Sequence, residues 1–445
     1  MTARAGASAQ ERISEGKNRR SVVSRQVHGN LDVKDRRFDP IAVLRASAAG
    51  RVRQLLPIKY ARMSESPFAF FRGAVSIMAA DLARLPNSGL HVQLCGDAHV
   101  QNLGSFAAPD GKLVFDLNDF DETIQGPWEW DVKRMSASLV LAGREAGHDR
   151  TACTAAVQSC LESYCRSIRE FSLEPVLLAA RHQVHRQKSI APVHAALRQS
   201  ERARPIDVLK RFTQPDRHGC PRFRDHRPFF WRIRGHAAQE ILSAVNVYRE
   251  TLAPDRRHVF NLFRSVDVGF KVVGTGSVGL RNYVVLFEGN GPQDPMFLQI
   301  KQEVASAYAK FLPGAGDQHQ GKRVADGQRA IQPLSDLLLG WTSIGPHEYL
   351  VRQLNDHKGS IDLQLLRGGG LNSLAAVAGE LLARGHARSG DACQICGYYG
   401  SGLKIGKALI KFATEYANQT EADYRAFVGA IKAGRIKVAG EERLS

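Results

Sequence analysis

Apolar positions recur at helical spacing from Ile41 to Leu56 and again from Phe68 to Leu85, where Phe70, Ala74, Ile77, Met78 and Leu82 mark one face. Pro86-Asn87-Ser88-Gly89 ends that second helix. His91 to Leu94 then reads as a short strand running into a Gly-Asp turn, and Leu113 to Leu117 as another after the Asp110-Gly111 turn. Residues 132 to 250 read as mostly helical, with interruptions rich in Pro, Arg and His. Near residue 265 the texture changes. Asp267 to Val273, Tyr283 to Phe287 and Phe297 to Lys301 are β-type runs, separated by Gly274-Thr275-Gly276-Ser277-Val278-Gly279 and by Glu288 to Pro295. A helix is expected around Val324 to Leu339, a strand from Glu348 to Leu354, and helices from Leu371 onward with a break at Gly397 to Gly402.

At 445 residues the chain is long for one core, so two lobes are expected. The pattern divides into a basic, partly disordered leader (1–40), a helical lobe (41–260), a β-rich lobe (261–360) and C-terminal helices (361–445) that pack back on the helical lobe. No run approaches eighteen apolar residues, and Met1 to Arg20 lacks an apolar signal core, so no membrane partner and a cytoplasmic location are expected. Cys393-Gln394-Ile395-Cys396 is the only close pair among seven cysteines, and nothing completes a zinc site around it. The net charge of +17 suits nucleic acid, an anionic ligand such as a nucleotide, or a basic surface. No aromatic-interleaved basic stripe accompanies it, which disfavours single-strand binding.

The candidate chemistry lies in Cys95-Gly96-Asp97-Ala98-His99-Val100-Gln101-Asn102 and Asn118-Asp119-Phe120-Asp121-Glu122. Phosphoryl transfer needs a carboxylate to orient and deprotonate the attacking hydroxyl, and oxygen ligands for magnesium. Asp97 and Asn102 share one tight loop, and Asp119 and Asp121 follow closely. The same residues also suit a capping and turn network in which Asp97 and Asn102 bond backbone amides.

The first segment resembles the His-Gly-Asp-x-His-x-x-Asn loop of the aminoglycoside phosphotransferase and choline-kinase branch of protein-kinase-like enzymes. Asn118 to Asp121 resembles the Ile-Asp-Trp/Phe-Glu/Asp segment of that branch, and Gly126-Pro127-Trp128-Glu129-Trp130-Asp131 its Gly-Asp-Pro-x-x-Asp run. The resemblance implies Asp97 as catalytic base with His99 supporting the loop, Asn102, Asp119 and Asp121 at magnesium, and a fold-supporting Asp131. Cys95 departs from it by replacing the first His, and no glycine-rich β-lobe precedes the loop.

That missing part has its counterpart downstream. Val272 to Gly279, Tyr283 to Phe287 and Phe297 to Lys301 resemble a kinase nucleotide loop followed by the strand whose lysine grips phosphates. Gly274, Gly276, Ser277, Gly279 and Lys301 are then the nucleotide-binding candidates, with Asp326 or Asp336 as acidic partner of Lys301. Taken alone, the same stretch fits an ordinary hairpin and a surface lysine. Leu381 to Ala387 resembles the helix that precedes the catalytic loop in kinases. The implied fold is α+β, a protein-kinase-like two-lobed fold, circularly permuted, with the catalytic-loop helical half first and a small β-rich nucleotide lobe second.

The chain as a whole is also similar to the uncharacterised bacterial domain-of-unknown-function family 2252, through Ser66 to Gly73, Leu94 to Arg134, Val273 to Tyr283, Gly321 to Trp341 and Ala383 to Asp391. The expectation is an ATP- and magnesium-dependent phosphotransferase acting on a hydroxyl, of a small molecule rather than a protein. The alternatives are a nucleotide-binding pseudokinase or regulatory scaffold without turnover, and a basic nucleic-acid-binding protein. Gly316 to Lys322 matches most of a P-loop, but Arg323 stands where Ser or Thr would hold magnesium.

Overall fold

A computed structural model describes residues 6–31, 36–183, 190–202, 205–314, 318–354 and 359–440. The protein is mixed α+β. Its larger core gathers apolar faces from the helices Glu129–Glu145, Arg150–Leu173, Gly370–Ser389 and Leu403–Lys432. Gly379 lets Gly370–Ser389 lie against the neighbouring backbone, because a Cβ there would fall 2.1 Å from the Cys160 carbonyl oxygen.

On this base sit two small antiparallel sheets, His91–Leu94 with Ile124–Pro127, and Leu103–Ala107 between Leu113–Leu117 and Gly359–Ser360. They bracket the two chemistry-bearing loops. Both expected strands in this region therefore form, each short and largely buried as the apolar runs implied.

The second core lies under a six-stranded antiparallel sheet. Its order is Gly340–Ile344, His347–Gln353, Pro295–Glu303, Asn282–Glu288, Arg264–Lys271 and Phe230–Ile233. Alternation along Pro295–Glu303 sends Leu298 and Ile300 into the apolar core with Ile241, Val245 and Tyr248. The intervening Gln299, Lys301 and Glu303 line a cavity on the other side.

Several expectations shift in detail. The helix expected to Leu339 ends at Ile331, since Gln332 takes an extended conformation before Pro333, as residues preceding proline favour. Gly340–Ile344, in the gap between the expected helix and the expected strand, forms an edge strand. The Phe68 to Leu85 stretch divides into Pro67–Gly73 and Val75–Leu82 at Ala74. Phe230–Ile233, read within a helical region, extends the sheet. Ala9–Val22, read as part of a disordered leader, is a helix with a Ser8–Glu11 capping box. It packs on Ala392–Tyr399, where Gly16 and Gly397 bring the two backbones together. Among the described residues no helix is long and apolar enough to cross a membrane.

Candidate active site

Strand His91–Leu94 delivers the chain into the Gly96-Asp97 turn. Gly96 has φ +81°, and a Cβ there would fall 2.1 Å from the Glu122 carbonyl oxygen, so only glycine lets the two acidic loops meet. Asp131, in the first turn of Glu129–Glu145, accepts from the Cys95 amide at 2.7 Å and the Gly96 amide at 3.0 Å. His386 Nε2 approaches the same carboxylate at 3.5 Å, and its Nδ1 meets the Tyr164 hydroxyl at 2.8 Å. The turn is thus held from the helix below it.

Asp97 is clamped at Oδ1 by both Arg134 Nε, at 2.7 Å, and Arg134 Nη2. Its Oδ2 lies 3.7 Å from His99 Nε2. Burial raises the Asp97 pKa, while Arg134 and Arg72 act against that rise. Burial, then the charges of Arg72 and Arg134, keep His99 neutral by pushing its pKa well below the ordinary value. Asn102 donates from Nδ2 to the Asp97 carbonyl at 2.7 Å, so its Oδ1 is the end left for a cation.

Lys301 crosses from the sheet to the second acidic loop. Its ammonium binds both Asp121 oxygens and lies 3.5 Å from Asp119 Oδ1. The lysine is 3% exposed. Burial alone would lower its pKa, but Asp119, Asp121 and Glu303 outweigh burial and raise it, so it stays charged. Burial likewise presses Asp121 upward, and the Lys301 charge with the hydrogen bonds from Lys301 and Ser277 overcomes it and holds Asp121 low. Asp119 is the most open of these acids; enclosure in the cavity and the Asp121 charge raise its pKa. The acidic partners of Lys301 are therefore Asp121 and Asp119. Asp326 instead pairs on the surface with Lys322 and Arg329, and Asp336 accepts from the Leu338 and Gln353 amides.

The glycine-rich segment joins Arg264–Lys271 to Asn282–Glu288 at the cavity mouth. Ser277 donates to Asp121 Oδ2 at 2.7 Å, tying this loop to the acidic one. Cβ atoms at Gly274 would meet nothing within 4 Å, whereas Gly279, at φ +92°, abuts Arg51. Gly274, Gly276 and Ser277 line the cavity; Gly279 does not.

The cavity measures about 490 Å³ and is lined by Asp97, His99, Asn102, Asp119, Asp121, Lys301 and the Val273 to Ser277 segment. Among the described residues no group of three or more His, Cys, Asp or Glu is arranged to hold a metal ion. Of the expected ligands, Asn102 and Asp119 keep oxygens that could take a cation, since both Asp121 oxygens are engaged by Lys301 and one also by Ser277. Such a sparse oxygen set fits magnesium, which keeps most of its waters.

Several contributors escaped the sequence reading. Arg134 was unassigned, although it stands one turn after Asp131 on the same helix. Arg323, noted only as a flaw in a P-loop, is buried and donates to the Asp121, Thr123 and Val304 carbonyls, fixing the acidic loop against the sheet. Glu303 is buried beside Lys301, and its Oε1 has no hydrogen-bond partner. Burial first, then the Asp121 charge, raise its pKa well above the ordinary carboxyl value. The remaining P-loop match falls partly outside the described residues; Lys322 within it lies on the surface.

Neither the curated proteins nor the solved structures include a match to this chain. A family model described as "uncharacterized protein conserved in bacteria (DUF2252)" matches residues 51–430, which include both acidic loops, the glycine-rich turn and Lys301. The chain belongs to that family.

Proposed function

We propose that this protein is an ATP- and magnesium-dependent phosphotransferase acting on a hydroxyl group of a small molecule. One observation carries the reading. Lys301 meets Asp119 and Asp121 across 182 and 180 residues, in the same cavity as Asp97, Asn102 and the glycine-rich turn. Convergence of a phosphate-gripping lysine, a candidate base and oxygen ligands is what in-line transfer requires.

The wiring supports a permuted kinase-like arrangement. The helix Gly370–Ser389 ends against the first strand of the catalytic half: Ser389 Oγ accepts from the Gln93 amide at 3.1 Å, and Gly390 packs on Val92. A helix that precedes the catalytic loop in kinases thus reaches the same place here from the far end of the chain. The sheet adds the order glycine turn, strand, lysine strand, helix and strand pair.

In this reading the Val273 to Ser277 turn covers the nucleotide phosphates and Lys301 anchors them. Asn102 and Asp119 would hold magnesium, which would supply positive charge to offset the negative charge developing on the phosphoryl oxygens. The acceptor oxygen attacks the γ-phosphorus as the bond to the β–γ bridging oxygen breaks and ADP departs. The hydroxyl proton passes to Asp97 Oδ2, the oxygen that Arg134 leaves free. A cavity of about 490 Å³ suits a small acceptor better than a protein.

A nucleotide-binding scaffold without turnover is the second reading, favoured by the Arg134 clamp on the presumptive base. The test is magnesium-dependent protection by ATP against thermal unfolding, together with ATP consumption over a panel of hydroxylated metabolites. Protection is expected, with consumption lost and binding kept in Asp97→Ala. Absence of any shift with ATP or GTP at every magnesium level defeats the proposal; binding without consumption across the panel favours the scaffold.

A further inference from the structure

The cavity has a second basic wall, contributed by the helices that precede the catalytic loop rather than by the sheet. Lys59, on Leu56–Met63, is 2% exposed and lines the cavity. It makes no hydrogen bond or ion pair among the described residues. Arg72, near the end of Pro67–Gly73, also lines the cavity, and its Nε is buried without a partner. Arg51 closes the same wall, but its guanidinium is already spent on the Val278 and Ser47 carbonyls.

Buried cations without partners are costly, and a fold retains them where a ligand completes them. The nearby carboxylates do not do so. Glu122, whose charge acts on Lys59 and Arg51, accepts from the Ala307 amide at 2.6 Å. Asp97, the first of the acids acting on Arg72, is bound by Arg134. Of the other acids that Arg72 senses, Asp119 faces Lys301, Glu145 accepts from Ser66, and Glu65 is exposed. Two basic donors therefore line the cavity without a carboxylate of their own, Arg72 acting on Asp97 and Asp119 and Lys59 on Glu122.

We propose that Lys59 and Arg72 form an oxyanion subsite for the acceptor, so that the molecule phosphorylated is a small hydroxylated compound that already carries a phosphate or carboxylate. This rests on the phosphotransferase reading above. An ammonium and a guanidinium together suit a tetrahedral or planar oxyanion, and such an anchor sets the reacting hydroxyl against Asp97.

The probe is inorganic phosphate, titrated calorimetrically into the full chain with magnesium and saturating ADP, and separately with a saturating non-hydrolysable β,γ-imido analogue of ATP. Phosphate is expected to bind in both states. Lys59→Met and Arg72→Met should each weaken it about tenfold or more while leaving ADP affinity unchanged. Lys59→Met should also melt at a higher temperature than the wild type, since it removes a buried amine that burial and Arg51 disfavour in its charged form, and Arg72→Lys should recover part of the lost binding. Exclusion of phosphate by the imido analogue but not by ADP would assign the wall to the γ-phosphate and overturn the proposal. Absence of phosphate binding, or binding indifferent to both substitutions, overturns it as well. Should no nucleotide bind while phosphate binding persists and is lost in the variants, the nucleotide reading falls and the oxyanion subsite stands.

Discussion

The two walls of the cavity are built on opposite plans. On the side of the acidic loops the candidate groups are fixed by neighbours: Asp131 grips the turn that carries Asp97, Arg134 grips Asp97 itself, and Asn102 ties back to the Asp97 carbonyl. On the sheet side the Val273 to Ser277 turn stands over open space, joined to the acidic loop by Ser277, while one strand projects Lys301 across the gap. In the proposed phosphotransferase the difference separates two tasks. Chemistry at an attacking oxygen demands fixed positions, whereas a phosphate cover needs bare backbone that a ligand can approach.

The largest effect should come from the fixed wall. Asp97→Asn keeps an acceptor for Arg134 but removes the base, and should lower phosphotransfer by about 10²- to 10⁴-fold with nucleotide binding retained. Steady-state kinetics beside nucleotide titration checks both halves; equal loss of binding and turnover would break the distinction between the walls.

Next come the glycines. Gly96→Ala must place a Cβ against the Glu122 backbone at positive φ, and should cost on the order of 2–5 kcal/mol in denaturant unfolding. Gly274→Ala meets nothing and should stay within about 0.5 kcal/mol of wild type, its effect confined to nucleotide affinity. Comparable destabilisation at the two positions would refute the contrast.

Lys301→Met should weaken magnesium–nucleotide binding by roughly 10- to 100-fold, the worth of a charge-assisted contact. It also leaves Asp119 and Asp121 facing each other without their shared cation, so the pKa of Asp121 should rise toward the ordinary range. Carboxyl resonances followed by NMR across acid pH would show this directly.

The smallest expected effect concerns pH. Asp97 must be ionised to accept a proton, and burial already raises its pKa above the ordinary value of 3.8 while Arg134 pulls it down. Removing that pull in Arg134→Gln raises it further, so the acid limb of the rate profile should move to higher pH. A limb that stays in place would detach Asp97 from the proton transfer.

Much of this site was legible because its elements are local. A Gly-Asp turn after a short apolar run, an acidic loop after an Asp-Gly hairpin, and a glycine-rich turn between β-type runs each declare themselves within a dozen residues. What joins them does not. The pairing of Lys301 with Asp121 spans 180 residues, so a search for its acid on the adjoining helix found Asp326 and Asp336, which serve other partners. The helix Ala9–Val22 carries no apolar stripe to betray it. It is held by glycine-mediated backbone approach to Ala392–Tyr399 and by hydrogen bonds from Arg20 to the Gly397 and Tyr398 carbonyls, neither of which leaves a periodic signal. The true end of the helix at Ile331 was hidden because apolar spacing runs on through Pro333 to Leu339, whereas the backbone is already extended at Gln332.

The link from Gly370–Ser389 back to the first strand also bears on how the protein is made. Arg384 pairs with Asp116, and His386 lies beside Asp131, so the segment with the acidic loops awaits groups encoded far downstream. A ribosome adding about 5–20 residues per second leaves the acidic loops without these supports for roughly 10 to 50 seconds. During synthesis the Asp97 turn is therefore a part in waiting, and its assembly follows emergence of the helix Gly370–Ser389.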